Sequence, residues 1–407
     1  MSFIVRVSRK KVSTSISPFR TAWRLALSLS LVVLAACSSR APRPVPEARA
    51  VDGGLRLLGA AAYPAGTLTL GDGPRFGGVS GLARDPLSGQ WVGAIDENEP
   101  QRLAWMDVAF GATLTVTPLR FTVLHAGPGA SAETMAGLEL ESLVAMPGGG
   151  FAATTEGYHD ATDIVHQAEV VFVERDGTVT GAVRPHAHFA MTAGDRGHGV
   201  RHNLGLESLT RTPDGRLISG LEQPLIQDGS MSNTTRGGLV RLIEFVARRS
   251  AGWTPGREWA YQLEPTAVVP GFSSPCPDGE NGLSDMLALG DERWLMLERA
   301  CLLGPPGTPA YNPVKIFEVS SRGAEDVSRL PALAGRSLRL VKKRLVLDVD
   351  TLLPRLPRLP PLWATGSNFE ALAFGPPGPL GERTILLMSD DNLRPTQTTA
   401  VLWLALP

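Results

Sequence analysis

Five stretches of this chain repeat one pattern, and the repeat limits the fold more than any other feature. They are VSGLARDPLSGQWVGAIDE from Val79, LESLVAMPGGGFAATTEG from Leu140, LESLTRTPDGRLISGLEQ from Leu206, LSDMLALGDERWLMLER from Leu283 and FEALAFGPPGPLGERTILLMSDDN from Phe369. Each opens with a small or acidic residue in a short apolar run, passes a Pro, Gly or Asp turn, and closes a second apolar run on an acid. The runs alternate or are wholly apolar over about five residues, the pattern of paired buried strands. Taken at Ser80, Glu141, Glu207, Asp285 and Glu370, the repeats are spaced 61, 66, 78 and 85 residues apart. That exceeds the usual propeller period of about 40–50 residues. The extra length holds a second pair of strands, such as AEVVFVERDG with TVTGAVRP, or GLVRLIEFVARR with REWAYQLEP.

Four strands per unit, repeated and closed, make an all-β propeller. The count is five blades, with a sixth, degenerate blade in Ser320–Pro361 as the alternative. The last repeat is followed only by AVLWLALP, so its fourth strand is expected from the N-terminal LRLLGAAAYP, which closes the ring. With 44 Gly and 33 Pro, the chain has the turn residues this needs and no long helical pattern after Ala36. A net charge of −1 without a Lys/Arg cluster gives no nucleic-acid footprint.

The N-terminus reads as a leader. Arg6, Arg9, Lys10, Lys11, Arg20 and Arg24 precede the apolar run Leu25–Ala36, too short to span a bilayer. Leu34-Ala35-Ala36-Cys37 has the form of a lipobox, so residues 1–36 are expected to be removed and Cys37 acylated. Ser38 at the next position directs such a protein, in a Gram-negative host, to the outer membrane facing the periplasm. Residues 37–50 form a Pro-rich tether, and 51–407 the domain, expected to act as a monomer that meets the membrane through its lipid alone. In that oxidising compartment Cys276 and Cys301 are expected to form a disulfide.

In a propeller the first strand of each blade lines the channel and the second runs back beside it. The start of one and the end of the other therefore share a face. This gathers acids at one channel mouth: Glu141 with Glu156, Glu207 with Glu222, Asp285 with Glu298, Glu370 with Asp390, and Asp96 with Glu97 beside Ser80. Crowded carboxylates need compensation. A hard cation such as Ca²⁺, arginines (Arg75, Arg201, Arg299, Arg394), or backbone N–H groups of a neighbouring blade can supply it. The strand-one acids Glu141, Glu207 and Glu370 suit inter-blade clasps. Asp96, Glu156, Glu222, Asp285, Glu298 and Asp390 are the expected metal ligands. Glu222 is expected to be more exposed than Glu207.

Two other patterns carry less. No G-x-S-x-G elbow is present. The tract His186-Ala187-His188 with His198 and His202 falls in a connection between blades, where a solvated loop is the simpler reading.

The ordered set FGGVSGLARDPLSGQWVGAIDE, TTEG, NLGLESLTRTPDGRLISGLEQPLIQDG, LSDMLALGDERWLMLERA with VKIFEV, and NFEALAFGPPGPLGERTILLMSDDNLRPTQ resembles the phytase-like family described by esterase-like activity, related in fold to the alkaline propeller phytases. The resemblance spans about Phe76 to Gln397. It implies a propeller that hydrolyses phosphate or carboxylic esters, with Ca²⁺ held by mouth carboxylates and water as the nucleophile. Asp285, Glu222 and Glu298 are then the expected catalytic acids. Arg75, Lys315 and Arg394 are the expected substrate-binding groups. The motif loops hold few lysines, so a smaller phosphoester suits them better than phytate. The alternative is a non-catalytic propeller that binds a ligand or envelope protein through the same face.

Overall fold

The computed structural model describes residues 54–71, 75–96, 100–159, 165–249, 252–272, 274–276, 281–308, 310–352 and 367–407. The leader, Cys37, the tether and Glu97 lie outside the described residues. Five antiparallel sheets of four principal strands form a five-blade propeller. Blade 1 is Val79–Arg84, Trp91–Ile95, Arg102–Ala109 and Thr115–Val123. Blade 2 is Leu140–Ala145, Phe151–Thr155, Glu169–Val173 and Thr178–Val183, with His125–Ala126 added in parallel to its outer edge. Blade 3 is Leu206–Arg211, Leu217–Leu221, Leu239–Arg248 and Gly252–Gln262. Blade 4 is Gly282–Gly290, Arg293–Arg299, Val314–Ser320 and Lys342–Asp348. Blade 5 is Asn368–Phe374, Thr384–Asp390, Thr398–Ala405 and, from the other end of the sequence, Arg56–Pro64. That last strand runs antiparallel to Thr398–Ala405 and closes the ring, as the sequence requires.

Burial follows the strand's place in its blade. The second strands Trp91–Ile95, Phe151–Thr155 and Leu217–Leu221 are buried at every residue because another blade covers each face. The outer strand Thr178–Val183 alternates, with Val179 and Val183 buried and Thr180 and Ala182 exposed. The core is a set of apolar layers between adjacent blades, such as Trp105 of blade 1 edge-on to Phe151 of blade 2 at 5.9 Å. The five inner strands pack on one another in sequence and back to the first.

Ser320–Pro361 is not a sixth blade. Its strand Lys342–Asp348 completes blade 4, and residues 321–341 form a strap across blade 3, bonded through Val327 N–H to Glu258 O and Val341 N–H to Ala260 O. Val327 and Leu333 are buried against Ala260. The strap is fastened by charge as well. Fully buried Arg241 grips Asp228 through Nε at 2.6 Å and Nη2 at 2.9 Å, reaches Glu258 at 2.8 Å, and donates to Leu330 O of the strap. His186 and His188 do not form a solvated loop. Their rings stack at 5.7 Å, and His188 Nε2 lies 3.0 Å from Glu258. The AMPGGGF segment is a hairpin turn, closed by Met146 N–H to Gly150 O with Gly149 and Gly150 at positive φ.

Candidate functional site: the carboxylate ring at the channel mouth

Every inner strand carries a bulge near its start, where the register with the second strand slips by at least one residue. In three blades the slip falls on Ser80, Glu207 or Glu370, and in blade 2 it spans Glu141 and Ser142. In blade 4 it falls on Ser284, so Ser284 and not Asp285 is the counterpart of Glu207. The second strand shifts in the same way. Gly205 O accepts from Glu222 N–H and Gly78 O from Asp96 N–H, while Gly282 faces Arg299 and Asn368 faces Asp390. The matching positions are therefore Asp96, Glu156, Glu222, Arg299 and Asp390. Four blades carry an acid at this position, the last residue of the second strand or the one after it, and blade 4 carries a guanidinium.

Side chains alternate along a strand, so one residue of slip sends a group to the opposite face. This corrects the placement of two expected ligands. Asp285 points to the waist of the channel, among Gly81, Ser142, Ser208 and Ala371 at the same position of the other blades. There it accepts from Ser142 Oγ at 2.9 Å, Met286 N–H at 2.8 Å and Leu372 N–H at 2.7 Å, tying blades 2, 4 and 5 together. Burial, opposed by these donors, pushes its carboxyl up to about 8. Glu298 turns towards blade 3, where Tyr261 OH (2.5 Å), Lys343 Nζ (2.6 Å), Asn281 Nδ2 (2.7 Å) and Glu264 N–H (3.0 Å) surround its oxygens. Both carboxylates are engaged by protein donors. Inter-blade clasps to backbone N–H are made by Asp285 and by Asp391, whose Oδ1 accepts from Gly78 N–H across the blade 5–blade 1 joint, and Glu370 bridges the same joint through Ser80 Oγ.

The remaining acids converge. Glu141, Glu156 and Glu207 offer oxygens that all lie within 4.8 Å of one another. Close packing of the inner strands brings this about. A Cβ on Gly205 would stand 1.8 Å from Glu156 O, so only glycine lets blade 3 approach blade 2 so closely there. Arg299 Nη2 lies 2.9 Å from Glu370, 3.6 Å from Glu222 and 3.9 Å from Glu207. Glu370 also accepts from Asn368 Nδ2 and Ser80 Oγ. The expected difference in exposure between Glu207 and Glu222 is absent: they are 5% and 4% exposed. Asp96 is exposed at the rim and Asp390 is buried, its Oδ1 accepting from Asn392 N–H.

The electrostatics are uneven. Burial first, and then the charges of Asp96, Glu207 and Glu370, push the Glu141 carboxyl well above the usual carboxylate range. Glu156 is raised by burial, by Glu207 and Glu141, and by a hydrogen bond with the Glu207 carboxyl, which itself is raised by burial and Glu222. Two facing carboxyls can form that bond only if one carries the proton. Asp390 is raised by burial, then by Glu370 and Asp96. Glu156 Oε2 and Glu207 Oε2 are buried and meet no nitrogen or hydroxyl donor among the described residues. Orphaned carboxylate oxygens at this spacing, without nitrogen or sulfur ligands, fit a hard cation of the Ca²⁺ type.

The expected substrate groups are dispersed. Arg75 donates to Leu393 O at 2.8 Å, and Arg394 stands exposed in the same 391–394 turn, both at the blade 5–blade 1 side of the mouth. Lys315 lies in the third strand of blade 4, opposite Asp348 and away from the triad. The disulfide forms as expected. Cys276 and Cys301, with Cα atoms 5.4 Å apart, join two loops on the mouth side. One group escaped the sequence reading: Glu139, one residue before the LES motif, is raised by burial and adds its charge to Glu141. Arg299, expected among the arginines that could compensate the acids, does so as the blade 4 member of the ring.

A family model described as phytase-like, esterase-like activity of phytase, matches residues 74–393. No curated protein gives a significant match to the sequence. Among solved structures, an endo-arabinase from Bacteroides thetaiotaomicron is 9% identical, with 85% of this chain and 96% of that chain covered and a TM-score of 0.41. A glucose dehydrogenase is 10% identical, with 86% and 98% covered and a TM-score of 0.30. YCF48 bound to D1 peptide is 13% identical, with 81% and 77% covered and a TM-score of 0.27.

Proposed function

The chain belongs to the phytase-like family described by esterase-like activity, and from that premise we propose that it is a metal-dependent hydrolase of phosphate or carboxylic esters acting at the channel mouth. The observation that carries the reading is the buried triad Glu141, Glu156 and Glu207 with its two orphaned oxygens. These three would hold a Ca²⁺-type cation, with Asp96 and Asp390 beside them. When bound, the cation supplies Lewis acidity and a polarised water. Arg299 holds Glu370, Glu222 and Glu207 in place and limits the charge of the ring. Glu222, on the Arg299 side, takes the proton of the attacking water. Arg75 and Arg394, on the blade 5–blade 1 rim, meet the anionic part of the substrate, which favours a small phosphoester over a neutral ester. Asp285 and Glu298, held by protein donors, keep the blades in place.

The reading includes acylation at Cys37 and attachment to the cell envelope, in a Gram-negative host the outer membrane facing the periplasm. The sequence Leu34-Ala35-Ala36-Cys37 supports it. A non-catalytic binding propeller is the second reading. It is favoured by Arg299, which already satisfies part of the ring as a binding site would require.

A chain starting at residue 51 is assayed on a chromogenic phosphomonoester and a short acyl ester, with Ca²⁺ or with chelator. Turnover that needs Ca²⁺ and falls at least about a hundredfold in Glu156→Gln and Glu222→Gln is expected. No turnover of either substrate, together with melting that Ca²⁺ leaves unchanged, would sink the hydrolase reading.

A further inference from the structure

A layer of aromatic rings stands beside the triad, on the blade 2–blade 3 side of the mouth. The chain leaving Glu156 turns at Gly157, whose φ is 81°, and its next residues Tyr158–His159 pair antiparallel with Val165–His166. His202 approaches from blade 3. It stands three residues before Gly205, the glycine that packs on Glu156 O, and its neighbour Asn203 donates its N–H to Gly157 O at 3.2 Å. Tyr158 stacks on His166 at 4.4 Å and meets the His202 ring edge-on at 6.4 Å. The His159 ring lies 6.4 Å from that of His202.

Only one of these rings offers a donor to the mouth. Tyr158 OH is bonded to Ala136 O at 3.1 Å, and His166 is 8% exposed beneath Tyr158. The ring nitrogens of His159 lie 3.0 and 3.1 Å from Arg196 Nη1. His202 is exposed, and its Nδ1 accepts the His159 N–H at 3.0 Å. A backbone N–H can only donate, so this bond fixes Nδ1 as the acceptor and places the ring hydrogen on Nε2. Nε2 has no partner among the described residues. An uncharged N–H suits a place beside crowded carboxylates. A guanidinium is drawn into such acids, as Arg299 is by Glu370. The imidazole N–H leaves the triad oxygens to a cation and still binds a substrate oxygen.

We infer that His202 Nε2–H donates to a non-bridging phosphoryl oxygen of the substrate, and that it makes the mouth selective for phosphate monoesters. The inference rests on the hydrolase reading and narrows its substrate class. A phosphomonoester presents three acceptor oxygens. The cation, the Arg75–Arg394 rim and His202, on three sides of the mouth, can each take one. A carboxylic ester has a single carbonyl oxygen, which the cation would occupy, so the imidazole would go unused.

The test uses a chain from residue 51, which retains every described strand and the core of the propeller. With Ca²⁺ present, binding of inorganic phosphate is measured by calorimetry, alongside turnover of a chromogenic phosphomonoester and a short acyl ester. His202→Phe keeps a ring against Tyr158 and removes the donor. It is expected to weaken phosphate binding and raise KM for the phosphomonoester about tenfold each, with acyl-ester turnover and the Ca²⁺ shift in melting unchanged. His202→Gln, which restores an N–H, should stay within about threefold of the parent. If the phenyl ring disturbs folding, His202→Leu takes its place. Phosphate affinity and KM unmoved by His202→Phe overturn the inference. So does a loss in His202→Gln equal to that in His202→Phe, or a lost Ca²⁺ shift, either of which makes His202 a packing group. A parent chain that binds phosphate through His202 but turns over no ester would count against the hydrolase reading and leave this donor in place. A parent that binds no phosphate removes it.

Discussion

Two buried clusters of charge in this propeller are built from the same residue types and balanced in opposite ways. Beneath the strap, Asp228 and Glu258 enclose Arg241, which makes five hydrogen bonds or ion pairs to them and to strap carbonyls, with His188 against Glu258. At the mouth, Glu141, Glu156 and Glu207 crowd within 4.8 Å and the nearest guanidinium, Arg299, favours Glu370 on the other side of the ring. Desolvation is costly in both places. In the first it is offset by pairing, and the cluster fastens one segment to another. In the second it is offset by protonation, which leaves oxygens available for something else. A buried acid is thus not informative by itself; the balance of its partners distinguishes a fastener from a site.

Arg241→Ala is the harshest test of this contrast. It strands two buried carboxylates and is expected to cost about 3–5 kcal/mol in urea unfolding, with or without Ca²⁺. An effect under about 1 kcal/mol would mean the strap cluster is not balanced as described. Arg299→Ala should cost less, about 2 kcal/mol in chelator, and Ca²⁺ should restore most of it, because a cation can replace the lost guanidinium. Loss of stability that Ca²⁺ does not relieve would make Arg299 a plain structural group.

The pH dependence follows from the raised carboxyls. Glu141, Glu156, Glu207, Asp285 and Asp390 all bind protons more tightly folded than unfolded. Between the unfolded values near 4 and the folded ones, the native state holds more protons, so stability falls as pH rises. For Asp285 that window runs from its ordinary 3.8 to about 8. Melting in chelator should therefore drop across this range, and Ca²⁺ should flatten the drop at the upper end. Stability that rises through the window in chelator would show that these acids are ionised when folded.

The smallest expected change is Glu156→Gln, within about 1 kcal/mol in chelator, because burial and the facing Glu207 raise this carboxyl and disfavour its charge, which the amide lacks. The same variant should lose the increase in melting temperature given by Ca²⁺. An unchanged Ca²⁺ response would remove Glu156 from the ligand set.

Much of this was legible in one dimension. The repeat and the strand pairs follow from alternation and turn residues, which depend on neighbours along the chain; the closing N-terminal strand follows from the last repeat lacking its fourth strand, and the disulfide from two cysteines in a domain expected to be exported. The gathering of acids at one mouth also followed, since antiparallel pairing alone brings Glu141 to Glu156 and Glu207 to Glu222. Blade 4 did not follow. LSDM and LERA offer acids at Asp285 and Glu298, and the pattern of the other repeats made them look equivalent.

The sequence by itself determined that this chain would be a ring of four-stranded blades with an acidic mouth. Only the tertiary structure decided which acids face it. In blade 4 the bulge falls on Ser284, so Asp285, one residue later, takes the channel waist, and Arg299 stands where the other blades have an acid. The physical reason is the two-residue period of a strand: a one-residue offset between LESL and LSDM becomes decisive only through the pairing register, which sets the face each side chain takes.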